Sequence, residues 1–247
     1  MEPKTIGILG LTAEGASLCY RTIVSESVRL LRSDVHPPIV LHNPSFHLTN
    51  DLLRRRDWPG LGALVIDSIG KLVSIGAEII IMPANAAHYA ASYFVAASPV
   101  PFLSIVEVSA NACVARGFTR VAILGIGITM SGGLYEQPLR ERGIEAVVPT
   151  GEEQAIVNRV IVEEIIPARA TGETSRQIVG VIERLKARGA DAVILGCTEL
   201  PIVITEGVSP LPFIDTTRLL AHKALEYALQ EDTGQSVGTI AYAHKRR

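Results

Sequence analysis

Charge is sparse and nearly balanced in this chain. Of 247 residues, 23 are Lys or Arg and 25 are Asp or Glu, giving a formal net charge of −2 and a sequence pI of about 6.3. The one short basic run, at 54–56, reads as a solvated helix end, so no basic face for nucleic acid is expected. Cysteine is scarce too. Cys19, Cys113 and Cys197 lie far apart, which suits a reducing cytosol and supplies neither a disulfide framework nor a paired metal-ligand spacing. The loops Gly10–Glu14 and Gly125–Thr129 both lack Gly-x-Gly-x-x-Gly, so no dinucleotide cofactor is expected. An uninterrupted apolar span is missing as well. Residues 79–106 carry no charge apart from His88, but Pro83, Asn85, Pro99 and Pro101 punctuate them, and a membrane-crossing helix needs about 20 predominantly apolar residues. The N-terminal residues pass from Lys4 into Ile6 without the apolar region of a signal peptide. The expectation is a soluble, cytoplasmic protein with no metal and no cofactor.

Hydrophobic residues are plentiful. They make up 48% of the chain, with a mean hydropathy of +0.31, enough for one large domain or two lobes of about 100–120 residues each. Short aliphatic runs alternate with helical stretches. Ile6–Gly10, 38–42, Ile79–Met82 and 101–105 read as strands in the first half; 121–125, 146–149, Ala192–Leu195 and 210–215 read as strands in the second. Helices are expected at about 14–31, 48–56, 60–75, 86–97, 107–116, 133–142, 152–166, 173–188 and 216–230.

The halves repeat. Ile6–Gly10 is echoed by Val121–Gly125, Gly76–Met82 by Gly189–Leu195, and Pro99–Ser104 by Pro210–Asp215, at offsets of 115, 113 and 111. Three landmarks keeping order and spacing argue for an internal duplication. The expected fold is α/β, with two pseudo-symmetric parallel-sheet lobes and a site in the cleft between them. The first lobe covers residues 1–105, completed by a C-terminal helix at 216–230. The second covers 106–215, and 231–247 form a loosely held tail.

Ligands of open parallel sheets bind beyond the carboxyl ends of the strands, and the repeat places two matched stretches there. Cys197 ends one strand and Ala84 holds the same place in the other copy. A thiol between a strand and a helix N-terminus gains thiolate character from free amides and the helix dipole, and then acts as a base or nucleophile. Cysteine is also an ordinary small buried hydrophobe. Asn85, Ala86, Thr198 and Glu199 follow the two strand ends; their amides suit a carboxylate ligand, and Asn85 and Thr198 equally suit helix capping. Thr12, Thr129 and Tyr135 either line the site or are plain loop and helix residues. His88 either orients a ligand or is structural. Cys19 and Cys113 read as core.

Gly-Cys-Thr-Glu-Leu at 196–200, Met-Pro-x-Asn-x-Ala-His at 82–88, Ile-Gly-Ile-Leu-Gly at 6–10 and the 129–135 segment together resemble the aspartate/glutamate racemase family. The resemblance runs from about residue 4 to 230. It implies pyridoxal-free α-proton chemistry in which a cysteine from each lobe serves one face of the substrate, usually in a homodimer. Ala84 stands where the resemblance puts the first thiol, and Ala86 where it puts a threonine. Ser45 stands where relatives carry an acidic residue, and Arg169 is the weakest guess for a cation holding a side-chain carboxylate. The expected function is therefore a racemase for an aspartate/glutamate-like amino acid, impaired or one-sided because Ala84 replaces one thiol, with Cys197 as the remaining acid/base. The alternatives are a one-cysteine decarboxylase of malonate-like acids, which the same resemblance extends to, and a non-catalytic amino-acid or carboxylate binder.

Overall fold

The strands of this protein are short, aliphatic and shut away from water. In the computed structural model, which describes residues 2–31 and 35–230, Ile6–Leu9 (β1), Ile79–Ile81 (β3) and Ala192–Leu195 (β7) are buried along their whole length. Such runs have no polar face to present to solvent, so they settle in the middle of parallel sheets covered on both sides. Each large aliphatic side chain removed from water this way contributes roughly 1.5–3 kcal/mol.

The chain divides into two compact units. The first runs to Val108 and resumes at Thr217; the second is Ser109–Thr216. In the first, β1 is followed by Ala13–Leu31 (α1), Ile39–His42 (β2), Phe46–Arg55 (α2) and Trp58–Ser74 (α3). Then come β3, Ala91–Phe94 (α4) and Phe102–Leu103 (β4), and Ile105–Ala115 (α5) carries the chain from the first unit into the second. The sheet is parallel in the order β2-β1-β3-β4. Leu61, Val65, Ile69 and Leu72 of α3 pack with Phe94 and Phe102 in its core.

The second unit holds Arg120–Leu124 (β5), Gly127–Ser131 (α6), Glu136–Arg140 (α7) and Glu145–Val147 (β6). Gly151–Val160 (α8), Gly172–Ala187 (α9), β7 and Phe213–Asp215 (β8) follow. Its sheet is parallel in the order β6-β5-β7-β8. The last helix, Thr216–Ala228 (α10), joins the first unit. The Lys4 amide donates to the Ala228 carbonyl at 3.0 Å, and the Cys19 thiol donates to the Thr217 carbonyl at 3.5 Å. The expected tail 231–247 lies outside the described residues.

The duplication is written into the strand register. Ile6 pairs with Ile79 in the first sheet and Val121 with Ala192 in the second. Ile80 pairs with Phe102, and Val193 with Phe213. Ile6 pairs with Ile39, and Val121 with Ala146. Gly76 and Gly189, both at positive φ (100° and 90°), end the preceding helices at equivalent points, a conformation that other L-residues adopt at a cost. Even a side-chain clip is repeated: Glu78 accepts the Thr5 amide at 2.7 Å, and Asp191 accepts the Thr119 amide at 2.7 Å.

Three expected helices differ from the observed ones. The stretch 86–97 is not one helix but a 3-10 turn (Ala86–Ala90), α4 and a second 3-10 turn (Val95–Ala97). Tertiary contacts overrule its alanine-rich propensity, for Tyr89 stacks on Trp58 at 5.3 Å between centroids and His88 is tied back to the Ala84 carbonyl. The expected helix at 133–142 begins only at Glu136, and α6 occupies what reads as loop. The helix expected at 152–166 passes after Val160 into a π turn, Ile161–Ile165, spanned by an Arg159–Glu164 ion pair of 2.6 Å.

Candidate active site

In a sheet ordered 2-1-3-4 the connections leave in opposite directions on either side of the β1–β3 pair. A crevice therefore opens beyond the carboxyl ends of those two strands. In the first unit this point is flanked by Gly10–Thr12 and Ala84–Ala86. In the second it is flanked by Gly125–Thr129 and Gly196–Glu199. The expected site residues thus gather, within each unit, at its topological switch point.

In the second unit β7 ends at Leu195, whose carbonyl accepts the Thr216 hydroxyl at 3.0 Å. The Gly196 amide then donates to the Leu124 carbonyl at 2.6 Å. A Cβ on Gly196 would lie 3.0 Å from that carbonyl and 3.0 Å from the Thr129 methyl, with the Tyr135 ring 3.6 Å away. Glycine is required here because β5, Thr129 and Tyr135 leave no room. Thr129 is wholly buried, and among the described residues its hydroxyl has no hydrogen-bond partner.

Cys197 follows, half-buried, and its Sγ–H donates to Glu199 Oε2 at 2.9 Å. Burial first, and then the Glu199 carboxylate, push the thiol well above the ordinary cysteine range; the backbone amides of Glu199 and Thr198 pull the other way and do not prevail. The expectation of a stabilised thiolate is therefore corrected: the resting group is a protonated thiol. Two physical reasons stand out. The carboxylate beside the sulfur disfavours a second negative charge. And the helix expected to lend its dipole is a single 3-10 turn, Leu200–Ile202, run out by the β-branched Ile202, Val203, Ile204 and Thr205. Thr198 and Glu199 are both buried.

The first unit presents a different face. A tight turn at Pro83, in which the Ala84 amide donates to the Met82 carbonyl at 2.8 Å, brings Ala84 to the strand end half-buried. Asn85 and Ala86 are buried beside it. Asn85 stands at the start of the 3-10 turn but makes no side-chain capping bond, so the capping role that its position suggests is not taken up. The His88 Nδ1–H donates to the Ala84 carbonyl at 2.9 Å, while Nε2 is buried with no partner among the described residues. Burial lowers the His88 pKa to about 4 against the pull of the Ala84 and Asn85 backbone, so the ring is neutral. Thr12 accepts the Gly15 amide at 3.2 Å, which places it as a cap of α1.

Cys19 and Cys113 are buried, and burial raises the Cys113 thiol to about 12. Ser45 is exposed and makes no capping bond, and Arg169 is exposed. Among the described residues no group of three or more His, Cys, Asp or Glu is placed to hold a metal ion. Nor, among them, is any helix long and apolar enough to cross a membrane. Two contributors escape a sequence reading. Thr216 holds the end of β7, and Asn158 on α8 accepts the Gly127 amide at 2.8 Å, fixing the loop that carries Thr129. Neither has a motif, because each acts through one long-range contact.

A switch point repeated in two duplicated units, ending in Gly-Cys-Thr-Glu in the second and Pro-Ala-Asn-Ala in the first, defines a class. The family model of the Asp/Glu/hydantoin racemases matches residues 8–224, and the chain belongs to that family. It is similar to the crystal structure of an aspartate racemase homologue from Pyrococcus horikoshii OT3, with 29% identity and a TM-score of 0.82, over 92% of this chain and all of that one. It is 30% identical to a glutamate racemase of Corynebacterium kroppenstedtii, over 98% of this chain and 76% of the relative. It is 27% identical to a broad specificity amino-acid racemase of Bacillus subtilis (strain 168), over 64% of this chain and 67% of the relative.

Proposed function

We propose that this protein is a cofactor-independent, racemase-type enzyme for an amino acid of the aspartate/glutamate class, working on one face of its substrate. Cys197 gives and takes the α-proton on that face. Ala84, at the register-equivalent place in the first unit, has no exchangeable proton and leaves the opposite face unserved. The same proposal assigns substrate binding to Asn85, Ala86 and Thr12 of the first unit and to Thr198, Glu199 and Thr129 of the second. The same reading makes the protein a cytoplasmic homodimer.

The observation that carries the reading is the placement of Cys197 at the carboxyl end of β7, its thiol protonated against Glu199. A protonated thiol is an acid ready to deliver a proton to a carbanion, and general acid–base groups so placed accelerate proton transfer by about 10²–10⁴-fold. In heavy water the protein is expected to introduce deuterium at the α-carbon of aspartate, glutamate or a related amino acid without forming the mirror-image product. Ala84→Cys is expected to add racemisation. Failure of both proteins to exchange or racemise any amino acid in the panel rejects the reading.

The single thiol also favours a second reading, decarboxylation of a malonate-like acid, where loss of carbon dioxide creates the carbanion that Cys197 protonates. Carbon dioxide release that disappears in Cys197→Ser distinguishes it.

A further inference from the structure

The short helix α6 starts without a cap of its own. The first amides of a helix have no carbonyl within it to meet, and Ile126, at the capping position, has no side-chain acceptor to offer them. In the first unit the matching place is filled. At an offset of 115, Thr12 stands where Gly127 does, and its hydroxyl accepts the Gly15 amide at 3.2 Å. The second unit brings its acceptor from a distance: Asn158 Oδ1 on α8, 31 residues along the chain, accepts the Gly127 amide at 2.8 Å. Asn158 is itself held from both sides. α8 opens with a capping box between Thr150 and Glu153, and the residue after Asn158, Arg159, is bonded to Glu164 and Gln177.

The load that α6 carries gives this cap a consequence. The Thr129 side chain lies over two glycines, so that a Cβ on Gly125 would come within 2.9 Å of it and one on Gly196 within 3.0 Å of its methyl. Gly196 is the residue before Cys197. Contacts thus run from Asn158 through Gly127 and Thr129 to Gly196, all within the second unit.

We infer that Asn158 is a positioning residue for Cys197: it caps α6 from α8 and so keeps Thr129 pressed against the glycine that precedes the thiol. A group that moves a proton must be held closely, since a displacement of about 1 Å costs on the order of 100-fold in rate. Asn158 touches no reacting atom and acts through the backbone alone. The cap rests on the geometry; its effect on turnover rests on the proposed function.

The test compares Asn158→Leu, which keeps the volume and removes the acceptor, with Asn158→Asp, which keeps an oxygen in its place. Asn158→Ala, smaller but equally without an acceptor, gives the same comparison where the leucine does not fit. Both measurements use the full chain at a temperature where every variant is folded. Backbone amide exchange, read by peptide mass spectrometry, is expected to quicken about fivefold to tenfold at 125–131 in Asn158→Leu, the loss of one net hydrogen bond. A smaller rise is expected at 195–200, and Asn158→Asp stays near the wild type in both stretches. For the amino acid that the wild type exchanges, kcat for deuterium entry at the α-carbon falls by about 10-fold or more in Asn158→Leu, KM moves less, and Asn158→Asp recovers most of the loss. A residue that served stability alone would lower Tm and leave kcat unchanged, and that result overturns the inference. So does unaltered amide exchange at 195–200. If the wild type exchanges no amino acid, the proposed function fails and the 195–200 amides decide. Faster exchange there in Asn158→Leu but not in Asn158→Asp upholds the positioning role, and equal rates in all three proteins remove it.

Discussion

Acid should destabilise this protein through one histidine. His88 is 2% exposed. Its Nδ1–H is committed to the Ala84 carbonyl at 2.9 Å, and its Nε2 faces the interior with no partner among the described residues, near the rings of Phe94 and Phe102 at centroid distances of 6.3 and 6.0 Å. Protonating Nε2 would place a charge there with nothing to receive it, and burial accordingly drops the pKa from 6.5 to about 4. The folded pKa lies below the unfolded one. Above about pH 6.5 both states are neutral and nothing is lost; as pH falls from there towards 4, the unfolded chain takes up a proton that the folded chain refuses, and stability declines. A gap of about 2.5 units at about 1.4 kcal/mol per unit makes the loss about 3 kcal/mol.

The matched variant is His88→Asn, whose side-chain amide reaches the Ala84 carbonyl but does not titrate. The missing ring atoms leave a cavity costing about 1–3 kcal/mol at neutral pH. Urea unfolding of both proteins at steps from pH 7 to pH 4 gives the two stability profiles. Carboxylate titrations occur in both and cancel in the difference. The wild type's advantage over the variant should fall by roughly 3 kcal/mol from pH 7 to pH 4, closing the neutral-pH gap or reversing it. Parallel profiles would refute the reasoning, because they would mean that His88 titrates in the folded protein as it does in the unfolded chain.

The remaining predictions concern the second unit. Burial alone would raise the Glu153 carboxyl, but the Thr150 amide and the guanidiniums of Arg184 and Arg188 outweigh it and hold the group below its ordinary value. Its contribution is therefore present above the unfolded carboxylate pKa and lost as pH falls through the folded one. Glu153→Ala should cost about 1–3 kcal/mol at neutral pH, below the buried-pair range because the arginine side chains are 52% and 35% exposed, and thermal unfolding should show a smaller penalty in acid. Gly196→Ala should lower stability by about 1–3 kcal/mol, since its Cβ would press on the Leu124 carbonyl and Thr129. It should also weaken α-proton exchange by displacing Cys197, a combined loss that Tm and deuterium incorporation together would record.

Much of this architecture is legible in the sequence because its signals are local and repeated. Continuous aliphatic runs such as Ala192–Leu195 have one stable home, the centre of a parallel sheet. Gly76 marks where a helix must stop, and the repeat spacing matches strands of one half to strands of the other. The carboxyl ends of β3 and β7 follow from the same reasoning, and with them the places of Ala84 and Cys197. What escapes is whatever depends on contacts across the chain. The 3-10 start of Ala86–Ala90 follows from Trp58 and the His88 ring, not from the alanines themselves. The π turn at Ile161–Ile165 depends on Arg159, Glu164 and Thr174 meeting. The protonation of Cys197 is the sharpest case. The Thr-Glu that follows it looks like the start of a helix, which would favour a thiolate. Folded, the same glutamate lies 2.9 Å from the sulfur and favours the thiol.

In the proposed function one thiol, Cys197, carries the α-proton chemistry on one face of the substrate. Incubating the wild type with single enantiomers of a panel of amino acids in heavy water, and following both deuterium content and handedness, tests it most directly. The account predicts deuterium at the α-carbon with configuration retained, abolished in Cys197→Ser. Formation of the opposite enantiomer by the wild type at the rate of deuterium entry would contradict it, as would the absence of exchange with every amino acid tried.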